Sequence, residues 1–202
     1  MKLQHLFDNN KKWAESMERD NPGFFGRLAQ HQEPTYLWVG CSDSRVPASE
    51  ILDLIPGDVF VHRNVANIIY HNDMNFLSVL QYGIKVLKIK DVIVCGHYGC
   101  GGVIASLDSK GTGLIDNWLK KIQDLYYYNE EKFTGLNDQE KIDLLCEINV
   151  IEQAKTIART AIVKEHWEDG NELNIHGMIY SLEDGLLKNL GATLAQGSKL
   201  YD

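Results

Sequence analysis

The chain has 202 residues, 44% of them hydrophobic, and a formal net charge of -8 from 28 acidic and 20 basic side chains. That length suits one domain with a sizeable core. The acidic balance excludes the basic surface that nucleic acid or an acidic membrane requires, and no apolar run approaches the roughly 20 residues of a membrane span. The opening Met1-Lys2-Leu3-Gln4-His5-Leu6-Phe7 lacks the apolar core and small-residue cleavage site of a signal peptide. Four cysteines without such a leader read as reduced thiols, available as metal ligands, rather than as a disulfide scaffold. The expectation is a cytoplasmic protein.

Residues 8–19 read as a polar helix with Asp8 or Asn9 as its N-cap, and Pro22 opens a short helix over 23–31. Their apolar residues, among them Leu6, Phe7, Trp13 and Phe25, form a thin stripe without a local partner. Residues 1–33 are therefore a helical arm, packing either on another subunit or on their own domain. Strands follow at 35–40, 59–63, 91–96 and 173–180, each a short apolar or alternating run. Helices are expected at 47–54, 75–87, 101–110, 114–128 and, as one long element, 138–165. Asp184-Gly185 turns into an edge strand at 186–190, and residues 191–202 carry no usable signal. Strands alternating with helices imply an α/β fold: a central, mainly parallel sheet of about four parallel strands plus an edge strand, flanked by helices. The whole of 1–202 is expected to be one domain, with ligands beyond the carboxyl ends of the strands.

Two stretches carry chemistry. Gly40-Cys41-Ser42-Asp43-Ser44-Arg45-Val46-Pro47 ends the first strand, and Cys95-Gly96-His97-Tyr98-Gly99-Cys100-Gly101-Gly102 ends the third. Cys41, His97 and Cys100 offer three soft ligands, and three protein ligands with one open position suit a catalytic zinc. Without Cys41, the His97-x-x-Cys100 spacing would read as two buried residues at a turn. Cys95 lies inside a strand and Cys146 inside a helix, so both read as core. The fourth position is then vacant or filled by Asp43. Asp43 and Arg45, two apart in an extended segment, lie on one side within reach of a bidentate ion pair. An isolated Asp-x-Arg is more often a structural salt bridge. Beside a metal ligand, however, a carboxylate kept ionised by arginine can accept a hydrogen bond from a water that the metal polarises. His62 and His176 read as strand residues, while His31 or His71 could relay protons at the rim.

The segments CSDSRVPASE and CGHYGCGG, with FVHRNVAN between them, resemble the β-class carbonic anhydrases over residues from about 1 to 190. The resemblance implies reversible hydration of carbon dioxide to bicarbonate and a proton. It implies one zinc per subunit on Cys41, His97 and Cys100, with Asp43 and Arg45 as catalytic dyad. Family members are dimers or dimers of dimers whose N-terminal helices embrace the partner. Gln32 matches the position from which an amide reaches substrate across that interface, and the N–H groups of Gly101 and Gly102 would steady a substrate oxygen. Trp38, Arg63 and Tyr180 match a noncatalytic bicarbonate pocket found in the bicarbonate-regulated (type II) subset. There Asp43 either pairs with Arg45 or, in a closed state, ligates the zinc. Two thiolates bring more negative charge than three imidazoles, so activity should rise on the alkaline side of neutral. The rival readings are hydrolysis of carbon disulfide or carbonyl sulfide on the same site, and a noncatalytic zinc or thiol module.

Overall fold

A computed structural model of the chain describes residues 2–108, 111 and 113–200. The chain falls into two compact units, Met1–Glu33 and Pro34–Asp202.

In the first unit α1 spans Gln4–Asp20 and α2 spans Phe24–Leu28. Helix α1 begins earlier than its polar composition suggests. Asp8 does not cap it but sits inside it, accepting from Gln4 Nε2 at 3.2 Å, and Ser16 donates to Asp20 in the same i,i+4 relation. Helix α2 starts after Pro22 because Gly23, at φ 77°, takes the left-handed turn between the two helices. The Trp13 and Phe25 rings pack edge to face at 5.7 Å, while Leu6 and Phe7 remain more than half exposed.

The second unit is a five-stranded sheet: β1 (Tyr36–Cys41), β2 (Val59–Asn64), β3 (Asp91–His97), β4 (Asn174–Tyr180) and β5 (Leu187–Leu194), in the order β2-β1-β3-β4-β5. The first four are parallel, as the alternation of strands and helices implies, and the edge strand β5, which follows the Asp184-Gly185 turn, pairs antiparallel with β4. Helices α3 (Ala48–Ile51), α4 (Met74–Gln81), α5 (Gly101–Ser106), α6 (Ile115–Tyr128), α7 (Asp138–Ala158) and α8 (Ala161–Glu168) complete the unit.

Helices α3 and α5 are shorter than the expected 47–54 and 101–110, and residues 109 and 110 of the latter lie outside the described residues. Larger differences occur at three further places. The long helix over 138–165 is two helices, because Thr160 adopts an extended backbone and its hydroxyl accepts from Val163 N–H at 3.3 Å, capping α8. The edge strand runs on to Leu194. The register shift opposite Gly177/Met178 and the positive φ of Gly191 absorb a bulge that a sequence pattern reads as a stop. The helix at 75–87 is α4 followed by a π-helical turn, Tyr82–Val86.

Both sheet faces are covered. Leu37, Val39, Val92, Val94 and Ile175 pack under residues of α4, α7 and α8, while Trp38, Ile93 and Cys95 face Val46 and Ala48 on the other side. A third cluster joins Cys41 and Cys100 to Val103, Leu119, Ile122 and Cys146 from α5, α6 and α7. Helix α7 approaches the sheet closely because Gly96 of β3 and Gly177 of β4 present no side chain to Val150. A Cβ on Gly96 would meet Val150 Cγ2 at 2.5 Å, and one on Gly177 would meet Cγ1 at 3.3 Å. Gly96→Ala should therefore cost about 1–3 kcal/mol by overpacking. Adding Val150→Ala should restore part of that loss in the urea midpoint; an unchanged midpoint in Gly96→Ala would contradict this packing.

Candidate metal centre

Parallel pairing makes Cys41 the last residue of β1 and His97 the last of β3. Gly99, at φ 64°, then turns the chain so that Cys100 sits at the N-terminus of α5. The ligand atoms of Cys41, His97 and Cys100 lie within 4.8 Å of one another, and all three residues are buried. The two sulfurs are 3.9 Å apart. Two sulfurs each about 2.3 Å from a tetrahedral zinc would be about 3.8 Å apart, so the spacing fits. His97 Nδ1 lies 3.0 Å from the Tyr98 carbonyl, which requires a hydrogen on Nδ1 and leaves the lone pair on Nε2. That Nε2 is buried without a hydrogen-bond partner among the described residues. A buried lone pair beside two sulfurs is costly unless something electrophilic meets it. The donor set fits a divalent cation.

The thiols are tuned against each other. The Cys100 S–H, together with the backbone N–H groups of Asp43 and Ala66, holds Cys41 well below the ordinary thiol range despite its burial. That neighbouring thiolate and burial keep Cys100 protonated. A cation would take both as thiolates. Cys95 and Cys146 behave as core residues: burial raises Cys95 beyond the ordinary range and pushes Cys146 up to about 12.

A family model described as carbonic anhydrase matches residues 36–187. A carbonic anhydrase of Emericella nidulans is 42% identical over 98% of this chain and 89% of its own length. The chain belongs to the β-carbonic anhydrase family. Among solved structures, the β-carbonic anhydrase of Coccomyxa in complex with acetazolamide superposes with a TM-score of 0.90 at 36% identity, covering 93% of this chain and 86% of that one. One of two tetrameric β-carbonic anhydrases of Sordaria macrospora gives 0.90 at 35%, covering 96% and 98%.

In this β-carbonic anhydrase fold the other singled-out residues are placed as follows. Asp43 is gripped by Arg45, Nε to Oδ1 at 2.9 Å and Nη2 to Oδ2 at 2.7 Å, with the Arg45 backbone N–H on Oδ1 at 3.0 Å. Its Oδ2 is also 3.6 Å from His97 Nε2, so the carboxylate borders the cluster while facing the arginine. Arg63 ties down the same loop: Nε donates to the Cys41 carbonyl at 2.8 Å and Nη2 to the Asp43 carbonyl at 2.6 Å. Trp38 is buried with its indole over Gly40, and its Nε1 has no partner among the described residues. Gly40 is level with Arg63 and Cys95, and Tyr180 lies two residues beyond Met178, the partner of Cys95, so these side chains share one sheet face. Gly101 is exposed, whereas a Cβ on Gly102 would meet that of Ala66 at 2.9 Å. Gln32 lies in the first unit, exposed, after α2.

Sequence reasoning missed the groups around the ligands. The Ala66 N–H lies 3.4 Å from Cys41 Sγ. Tyr98, whose carbonyl orients His97, donates its hydroxyl to Glu147, and Lys188 Nζ reaches Glu147 at 2.8 Å and the Tyr98 oxygen at 3.3 Å. Ala66 and Tyr98 lie inside the motifs FVHRNVAN and CGHYGCGG, which was their only signal, while Glu147 and Lys188 had none.

The Arg45 guanidinium, seconded by its own backbone N–H, holds the Asp43 carboxyl well below the usual carboxylate range against partial burial. A lowered folded-state value stabilises the fold above about pH 4, the ordinary carboxylate range, and the contribution fades as the pH falls below it. The Asp43 carboxyl carbon resonance should then stay flat from pH 7 to 3 in the parent and titrate near 4 in Arg45→Gln; the same curve in both would contradict the role of Arg45.

Proposed function

We propose that the protein is a zinc enzyme that hydrates carbon dioxide reversibly to bicarbonate and a proton, with zinc held by Cys41, His97 and Cys100. The observation that carries this is the buried His97 Nε2, without a hydrogen-bond partner among the described residues, beside two sulfurs and bordered by the Asp43–Arg45 pair. Zinc bound there supplies a Lewis acid that makes water nucleophilic near neutral pH. The chain supplies the rest. Arg45 keeps Asp43 ionised and turned aside, so that Oδ2 can accept a hydrogen bond from the attacking water and orient it toward substrate. Gly101 and Gly102 N–H groups, and the Gln32 amide of a second copy, would hold the substrate oxygens.

The half-exposed apolar residues of α1 support an arm that packs on a second copy, as a dimer or a tetramer. All four thiols are free, which supports a reducing compartment, the cytoplasm. No helix among the described residues is long and apolar enough to cross a membrane.

Metal analysis joined to a carbon dioxide hydration assay tests the assignment. About one zinc per chain, and loss of activity with retained zinc in Asp43→Asn, are expected, in a particle at least dimeric by light scattering. Zinc without hydration would leave a noncatalytic module; turnover of carbonyl sulfide alone would move the substrate; a monomer would remove the arm's role.

Bicarbonate is also proposed to inhibit from a pocket of Trp38, Arg63 and Tyr180. In support, Trp38 offers a buried N–H without an acceptor among the described residues, and Arg63 is the residue that clasps the carbonyls of Cys41 and Asp43. An oxyanion drawing the guanidinium away would loosen the loop that carries Asp43, coupling the two sites. Trp38→Phe keeps an aromatic ring and removes the five-membered ring with its N–H, so it should weaken bicarbonate inhibition with zinc content intact; undiminished inhibition would remove the pocket.

A further inference from the structure

The segment joining β2 to α4 carries unusual backbone. Ala66 (φ 62°, ψ 26°) and Asn67 (φ 47°) are both left-handed without being glycine, a conformation that persists only where the surroundings enforce it. Both are buried. What the conformation achieves is visible at one atom: it leaves the Ala66 N–H on the Cys41 sulfur.

The enforcement comes from two helices. Trp118 of α6 donates its indole N–H to the Val65 carbonyl at 2.8 Å. The Val65 carbonyl and the Ala66 N–H belong to one peptide plane and point in opposite directions across it. Holding the carbonyl oxygen therefore aims the N–H. On the other side of Ala66, Asn149 of α7 donates Nδ2 to the Ala66 carbonyl at 2.9 Å, which fixes the next peptide plane. Asn149 is itself held: Gln153, one turn further along α7, donates to its Oδ1 at 2.8 Å and accepts from Ile69 N–H at 2.9 Å. Both planes flanking Ala66 are thus gripped, so neither φ nor ψ of that residue can relax. Tyr70 adds a brace to Trp118, its hydroxyl on the Trp118 carbonyl at 2.7 Å and its ring edge to face with the indole at 5.2 Å.

We propose that Trp118 is a positioning residue of the metal centre: by gripping the Val65 carbonyl it aims the Ala66 N–H at the Cys41 sulfur, with Asn149 locking the adjoining peptide. An N–H donor on a ligand sulfur orients it and withdraws charge from it, so the centre is held in its geometry by a tryptophan that touches neither ligand nor substrate. The inference rests on the metal reading of the Cys41, His97 and Cys100 cluster.

The test uses the full chain, loaded with zinc or with cobalt. Trp118→Phe keeps an aromatic ring beside Tyr70 and removes the five-membered ring of the indole with its N–H. It should release zinc to a chelator about tenfold faster than the parent, the lower end for loss of a group supporting a ligand. In the cobalt form it should shift the thiolate-to-metal charge-transfer band. Asn149→Leu, of similar volume, should do both as well, by a separate route. Val163→Ala, in α8 and buried in the cluster that contains none of the ligands, loosens packing without touching the Val65 peptide and should leave the band in place. Parent-like release and an unmoved band in both Trp118→Phe and Asn149→Leu would overturn the proposal, as would an equal shift in Val163→Ala. A parent chain that binds cobalt without any thiolate band would instead overturn the metal reading itself.

Discussion

Everything at the centre depends on two parallel strands ending side by side. Gly40 of β1 is hydrogen-bonded at the level of Cys95 of β3, so the next residues, Cys41 on one strand and His97 two further on the other, arrive at one rim. Parallel strands offer this because their carboxyl ends point the same way, and the chain leaves each as a loop free to carry chemistry. The glycines around them serve the approach. Gly96 and Gly177 admit α7, and Gly99 allows the turn that returns Cys100 to within 3.9 Å of Cys41.

The burial of that rim has an electrostatic cost which the surrounding polar groups offset. A thiolate under the apolar lids of α5, α6 and α7 would be poorly solvated. The Cys100 thiol and the Ala66 amide stand in for water at Cys41. His97 is oriented by the Tyr98 carbonyl, and Tyr98 by Glu147. Helix α7 therefore does two things at once: its apolar residues close the core, and Glu147, with Asn149 and Gln153 one turn apart, presents polar groups to the loops that carry or touch the ligands.

The loop after Cys41 has a different character. It is more exposed, and arginine rather than packing sets its shape. Arg45 grips the Asp43 side chain and Arg63 the main chain on either side of Ser42. Planar guanidinium forks suit this, because each can hold two oxygens in a fixed relation. A loop held by two arginines at its surface is easier to remodel by a competing anion than one held by buried contacts, which is why regulation is proposed there and not at the cysteines.

Much of this was legible without coordinates. The residue types and spacing of Cys41, Asp43, Arg45, His97 and Cys100 pointed to the donor set, because metal chemistry admits few side chains and the strand pattern placed them at strand ends. The four parallel strands followed from hydrophobic runs separated by helical repeats, and the edge strand from the turn at Asp184-Gly185. What escaped was whatever depends on a single backbone torsion or a remote partner. The break at Thr160, the extension of β5 past Gly191 and the left-handed pair at Ala66 and Asn67 are local choices that packing decides and composition does not record. Trp118, Asn149 and Gln153 look in sequence like ordinary helix residues, 50 or more positions from the Val65, Ala66 and Ile69 groups they hold. The sequence by itself determined which atoms could bind a cation; only the tertiary structure decided what aims them, since hydrogen bonds to main-chain groups leave no mark on the identity of the residue that receives them.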